Sequence, residues 1–209
     1  MPTLETIAEN IDRGDQDMVL RLVREALEVG LSPEYILNQG LIPGMDVVGE
    51  KFKRGEYFIP NVLLAARAMN QGIALLEPHL AAAGFQACGK IILGTVAGDL
   101  HDIGKTLAGI LFKGAGFQVI DLGTDVKPDQ FLTAVEKENP DFLGLSALLT
   151  TTMLNMGKTV SLLREHDIRL PVLIGGAPTS RDYANDIGAD FWADTAQDGV
   201  DFVRSCLSH

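Results

Sequence analysis

The spacing of apolar residues changes once along this chain, near residue 86, and that change constrains the fold more than any other feature. Up to residue 84 the apolar patterns have the period of a helix. Residues 15–30, DQDMVLRLVREALEVG, carry them at helical spacing and end on Gly30, a residue suited to a left-handed C-cap. In LSPEYIL, Ser32 supplies an N-cap and Pro33 a first-turn proline. Pro43 and Gly44 are expected to bend or interrupt the helix that follows. Residues 59–84 form the fourth helical stretch, with Pro60 near its start. Four helices with short connections predict an antiparallel four-helix bundle over residues 1–86.

Residues 89–209 alternate instead. Five apolar runs, KIILGTV (90–96), FQVIDLG (117–123), DFLGLSA (141–147), PVLIGG (171–176) and ADFWA (189–193), are separated by helical stretches. Short apolar runs that alternate with helices predict a parallel sheet wound on both faces, with right-handed crossovers. The expected fold class is α/β: a helical bundle followed by a five-stranded parallel, doubly wound domain of flavodoxin or Rossmann type, in strand order 2-1-3-4-5. GFQACG (84–89) is read as the linker.

Composition removes several functions. The formal net charge of −11 repels a phosphate backbone, so nucleic acid is not expected as a partner. No apolar run reaches the length of about 18 residues that a membrane span needs. The segment MPTLETIAENIDRGDQD lacks a basic end followed by an apolar block, so no secretory signal is read there. Cys88 and Cys206 form neither a metal-ligand spacing nor a disulfide framework, which fits a reducing cytoplasm.

An open sheet of this kind binds ligands beyond the carboxyl ends of its strands, at the switch between strands 1 and 3. After strand 1 the chain reads GDLHDIG (98–104), after strand 3 SALLTTT (146–152), and after strand 4 Gly175-Gly176. The first loop ends like a phosphate-binding loop in Gly104-Lys105-Thr106, but position 99, where that loop needs glycine, is Asp. Asp99 and Asp102 would also oppose a polyphosphate. Asp99-x-His101 suits a different chemistry. In a turn, the carboxylate can hold one ring nitrogen and leave the other aimed at a metal. One histidine is too few for a zinc site, and His79, His166 and His209 fall in no ligand pattern with it. A metal with a single protein ligand must bring its other ligands along, as a macrocycle does.

Taken together, Asp99-x-His101-x-x-Gly104, Ser146-x-Leu148 and Gly175-Gly176 resemble the cobalamin-binding signature, in order and at the ends of the right strands. Residues 1–86 resemble the helical cap domain found beside that module. The pairing resembles corrinoid methyl-carrier proteins of methyltransferase systems and the matching region of cobalamin-dependent methionine synthase. The resemblance implies a cobalamin whose lower base has left the cobalt, with His101 as the axial metal ligand in its place. It implies a proton relay through Asp99, His101 and Thr152, where a relative has serine at the last position. It implies that Gly98, Asp102, Ile103 and Gly104 border the corrin. A slot lined by Ser146, Leu148, Thr150, Gly175 and Gly176 would take the nucleotide tail. The implied partners are a substrate-specific methyltransferase, an acceptor methyltransferase using tetrahydrofolate or a thiol, and a reductive activator of cobalt. With no further domain visible for a methyl donor, the chain is expected to be a shuttle subunit rather than a complete catalyst.

Residues 62–66, Val-Leu-Leu-Ala-Ala, surround a helix with apolar groups, although a bundle needs one stripe of a little over 100°. Phe58, Val62, Ala65 and Met69 fall on one line and are expected to cover the exposed side of the corrin, although such a line also suits a bundle core. Other readings stay open on sequence: Ser146 and Thr150–Thr152 also suit helix capping, and Gly175-Gly176 a strand-exit turn. Lys105 and Thr106 are read as the start of a helix. An adenosylcobalamin mutase subunit would share the Asp99–His101–Gly104 loop but not need the helical cap. A cobalamin sensor would need an output domain, often a DNA-binding one.

Overall fold

The computed structural model describes residues 3–207. The chain divides into two compact units, one running to residue 87 with residues 114–116, the other comprising residues 88–113 and 117 onward. His209 lies outside the described residues.

In the first unit, α1 (Leu4–Arg13) begins at Thr3, whose Oγ1 accepts the Thr6 N–H at 3.2 Å, and ends on Gly14 at φ 70°. α2 (Gln16–Glu28) is capped by Asp15 through the Met18 N–H at 3.0 Å. α3 (Pro33–Ile36) is capped by Ser32 and runs through a π turn, Leu37–Leu41, into α4 (Ile42–Lys53). The irregularity expected around Pro43 is therefore that π turn. Proline has no N–H to offer the preceding turn and its ring crowds the carbonyl there, and a wider turn relieves both. α5 (Ile59–Ala82) carries Pro60 in its first turn.

These helices pack closely around Ile7, Ile11, Val19, Val23, Leu41, Met45 and Leu76. A methyl group on Gly44 would come within 2.6 Å of the Ile11 side chain, so α1 and α4 meet backbone to side chain. Along α5, Val62, Ala65, Met69, Gly72, Leu76 and Leu80 form one buried stripe, and Gly72 abuts Leu41 and Val19 of the bundle. This corrects the expected corrin cover at Val62 and Met69, which are 0% and 2% exposed. Their alternating spacing of three and four is what bundle packing itself requires. The second apolar face of α5 exists, but it consists of Phe58, Ile59, Leu63 and Leu64, all exposed.

The second unit is the expected sheet. β1 (Lys90–Thr95), β2 (Gln118–Asp121), β3 (Phe142–Ser146), β4 (Val172–Gly175) and β5 (Phe191–Ala193) pair in parallel in the order β2-β1-β3-β4-β5. α6 (Ile103–Gly114), α7 (Pro128–Glu138), α8 (Thr150–Glu165), α9 (Arg181–Ile187) and α10 (Ala196–Leu207) connect or follow them. The central strands are buried on both faces, as their unbroken apolar runs require, and pack on Phe131, Val135, Met156, Val160 and Leu163. The register sets Thr95 beside Ser146 and Ser146 beside Gly175, so the exits of β1, β3 and β4 lie side by side.

Candidate functional site

Asp99 is the centre of that edge. It is fully buried, yet neither carboxylate oxygen lacks a donor. Oδ1 accepts the His101 N–H at 3.1 Å and lies 2.7 Å from His101 Nδ1. Oδ2 accepts the Leu148 N–H at 2.8 Å, the Leu149 N–H at 3.4 Å and the Thr152 hydroxyl at 2.7 Å. The Thr152 hydroxyl is also 3.0 Å from the Leu149 carbonyl, so its single proton serves one of two acceptors. Burial alone would raise the Asp99 pKa. The hydrogen bonds from Thr152, Leu148 and His101 outweigh it and hold the carboxyl well below the usual carboxylate range.

An ionised Asp99 makes Nδ1 the protonated nitrogen of a neutral His101, which leaves the lone pair on Nε2. The imidazole is 53% exposed while its carboxylate partner is sealed, so one end of the ring is fixed and the other is accessible. Asp102 opens α6 by accepting the Thr106 N–H at 2.8 Å on its carbonyl. Gly104 faces open space.

The remaining expected residues fall on the same edge. Ser146 ends β3, Thr150 opens α8 and Gly175 ends β4. Gly176 has φ 122°, and an added methyl group would lie 1.9 Å from the Ala147 carbonyl, so the exits of β3 and β4 touch through bare backbone. Gly98 has φ 80° and sits beside Thr152. Phe58, Val62 and Met69 belong to the first unit.

Sequence reasoning missed several supports. Lys105 is buried and grips both carboxylate oxygens of Asp121 at the end of β2, Oδ1 at 2.6 Å. The cation that a phosphate loop would offer a ligand is consumed there. Asn155 donates to the Ala97 carbonyl at 2.8 Å, and the buried Thr95 hydroxyl to the His101 carbonyl at 3.0 Å. Asp125 accepts the Gly98 N–H at 2.6 Å and donates its own N–H to the Asp99 carbonyl at 3.0 Å. The Gly-x-Asp turn signal after β2, Gly123 to Asp125, points to a loop at this edge, but β2 lies outside the switch between β1 and β3 where a ligand is expected.

The donor set fits a metal that arrives with its own equatorial ligands. Among the described residues no group of three or more His, Cys, Asp or Glu side chains could hold an ion. One accessible imidazole stands among exposed apolar groups: Leu100 and Ile103 on its own loop, and Leu148 and Leu149, whose amides bind the same carboxylate. Apolar surface around a single ring nitrogen suits the face of a macrocycle.

Comparison with known proteins agrees. A family model described as B12 binding domain matches residues 89–201, and a second so described matches residues 3–77. A corrinoid protein of Desulfitobacterium hafniense (strain Y51) is 43% identical over 99% of this chain and 98% of its own length. The trimethylamine corrinoid protein of Methanosarcina barkeri is 38% identical over 96% and 94%. The crystal structure of the methanol:cobalamin methyltransferase complex MtaBC from Methanosarcina barkeri aligns with a TM-score of 0.87 at 32% identity, over 97% of this chain and 78% of that one. These relatives set aside the mutase and sensor readings. With two regions matched by B12-binding family models and an accessible imidazole held by a buried carboxylate, the chain belongs to the corrinoid proteins of methyltransferase systems, and its cofactor is a corrinoid.

Proposed function

We propose that the protein carries a methyl group between two methyltransferases, one specific for the methyl donor and one for an acceptor such as tetrahydrofolate or a thiol. In this reading His101 Nε2 is the lower axial ligand of a corrinoid bound without its own base on the metal. The carrying observation is the 2.7 Å contact of His101 Nδ1 with an ionised, fully buried Asp99, which leaves Nε2 accessible. When bound, the corrinoid supplies a cobalt centre that takes up and gives away the methyl group. The relatives named for trimethylamine and dimethylamine make a methylated amine the first donor class to test.

Asp99 has two roles in this scheme. It fixes the Nδ1–H tautomer and ring direction, and its negative charge strengthens Nε2 as a donor. Were Nε2 free of a metal and protonated, the carboxylate 2.7 Å from Nδ1 would stabilise the resulting cation. Thr152 can turn its hydroxyl from Asp99 Oδ2 to the Leu149 carbonyl, which tunes how much charge Asp99 presents to the imidazole. Ser146, Leu148, Thr150, Gly175 and Gly176 are proposed to line the slot for the displaced tail. Gly98, Asp102, Ile103 and Gly104 are proposed to border the ring. Phe58, at 68% exposure, is the remaining member of the proposed cover. A reductive activator completes the proposed set of partners, and the cytoplasm is the proposed compartment. Among the described residues, no helix is long and apolar enough to cross a membrane.

Reconstitution with cobalamin tests the reading. Wild type is expected to show the visible spectrum of a histidine-ligated corrinoid, and His101→Ala that of a corrinoid without the protein ligand. Identical spectra would remove His101 from the metal.

A further inference from the structure

Beyond the residues that touch the imidazole, we infer that Asp125 is a positioning residue for His101, acting through the backbone of the loop after β1. This inference rests on His101 as the ligand. The loop after β2 extends the β1–β2 ladder past the strand ends. The Thr95 N–H donates to the Gly123 carbonyl at 3.0 Å, and the Val126 N–H donates to the Thr95 carbonyl at 3.0 Å. Val96 and Val126 pair as an isolated parallel bridge. Between those contacts stands Asp125, which grips the ligand loop twice, once through the Gly98 N–H at 2.6 Å and once through the Asp99 carbonyl at 3.0 Å. Its two contacts flank residues 98 and 99, so they fix the direction in which the Asp99 side chain leaves the backbone.

The backbone conformation points the same way. Asp125 has φ 55°, a left-handed value that a residue with a side chain holds at a cost unless its surroundings demand it. Gly98, the donor it meets, is left-handed too, at φ 80°. Two such residues brought together by a short, charge-assisted hydrogen bond form a junction with one conformation. Asp99 is tied to the far side of the site by Leu148, Leu149 and Thr152, and Asp125 supplies the opposing tie from the β2 side. A metal ligand must be held within about 0.5 Å of its working position, and a ring attached to a loop gains that precision from such second ties.

The substitutions separate the acceptor from the backbone conformation. Asp125→Asn keeps an acceptor oxygen and tolerates a left-handed φ. Asp125→Gly keeps the conformation and removes the acceptor. Protein labelled with ¹⁵N-histidine, loaded with cobalamin and reduced to cobalt(II), reports protein ligation directly, because an axial ¹⁵N splits the electron resonance into doublets and the ¹⁴N of the corrinoid's own base into triplets. Wild type and Asp125→Asn are expected to show the doublets, and Asp125→Gly to lose most of their intensity. In the cofactor-free protein, exchange of the Gly98 amide is expected to quicken about tenfold in Asp125→Gly. Should that variant be too unstable to load, Asp125→Ser, whose shorter hydroxyl falls short of Gly98, carries the same expectations. Doublets of full intensity in the acceptor-free variants, or equal loss in Asp125→Asn, would overturn the inference. Doublets that persist in His101→Ala would instead remove the ligand assignment itself, and amide exchange would still report on the clamp.

Discussion

Each unit contains a carboxylate paired with a basic side chain, and the two pairs are built differently. In the helical unit, Asp12 Oδ2 lies 2.6 Å from Lys51 Nζ, and the Tyr57 hydroxyl reaches the Asp12 carbonyl at 3.3 Å. The two charged side chains are 20% and 25% exposed, and Asp12 Oδ1 has no partner among the described residues. The hydrogen bond to Asp12 raises the Lys51 pKa against the lowering effect of burial. In the α/β unit Asp99 is sealed, and five donors converge on its two oxygens. An oxygen without a partner lets a carboxylate reorient, whereas donors on every side fix it. The first pair ties the end of α1 to the end of α4. The second converts the amides of another loop into the orientation of one imidazole.

The sharpest way to break this contrast is Asp99→Ala. It strands three backbone amides and the imidazole, leaves the Thr152 hydroxyl only the Leu149 carbonyl, and should cost about 3 kcal/mol or more in urea unfolding of the cofactor-free protein. Acid probes the same carboxylate more gently. Its folded pKa lies below the ordinary 3.8, so the folded state binds fewer protons than the unfolded one. That stabilisation is complete above about pH 4 and is lost as pH falls through the folded value. Wild type should therefore lose stability from about pH 4 to about pH 2 more steeply than Asp99→Asn, and equal slopes would count against an ionised hub. Asp12→Ala is expected to have the smallest effect, about 1 kcal/mol or less, shrinking further in high salt. A cost as large as that of Asp99→Ala would erase the distinction.

Much of the site was legible because its parts are local. Asp99 and His101 are two residues apart, and a turn brings such neighbours together whatever the rest of the chain does. The strand exits follow from the alternation of apolar runs, so Ser146 and Gly175 could be set near the loop once the strand order was inferred. The supports are non-local and were not legible. Lys105 reads as the start of a helix, and only the packing of α6 against the end of β2 turns it into the buried partner of Asp121. Leu148 and Leu149 contribute through backbone amides, which no side-chain pattern reveals. Along α5, periodicity showed that the helix is apolar all round but not which face turns inward. The bundle took Val62 and Met69 and left Phe58 and Leu63 outside.

By itself the sequence determined the two kinds of secondary structure, the sheet order and the pairing of an acid with a histidine, because periodicity and short-range turns depend on neighbours along the chain. Tertiary structure decided that Asp99 is sealed, that Lys105 is occupied and that Asp125 clamps the loop. Burial and hydrogen bonding between distant segments arise only when the strands are side by side, and those interactions set the charge and direction of each group at the site.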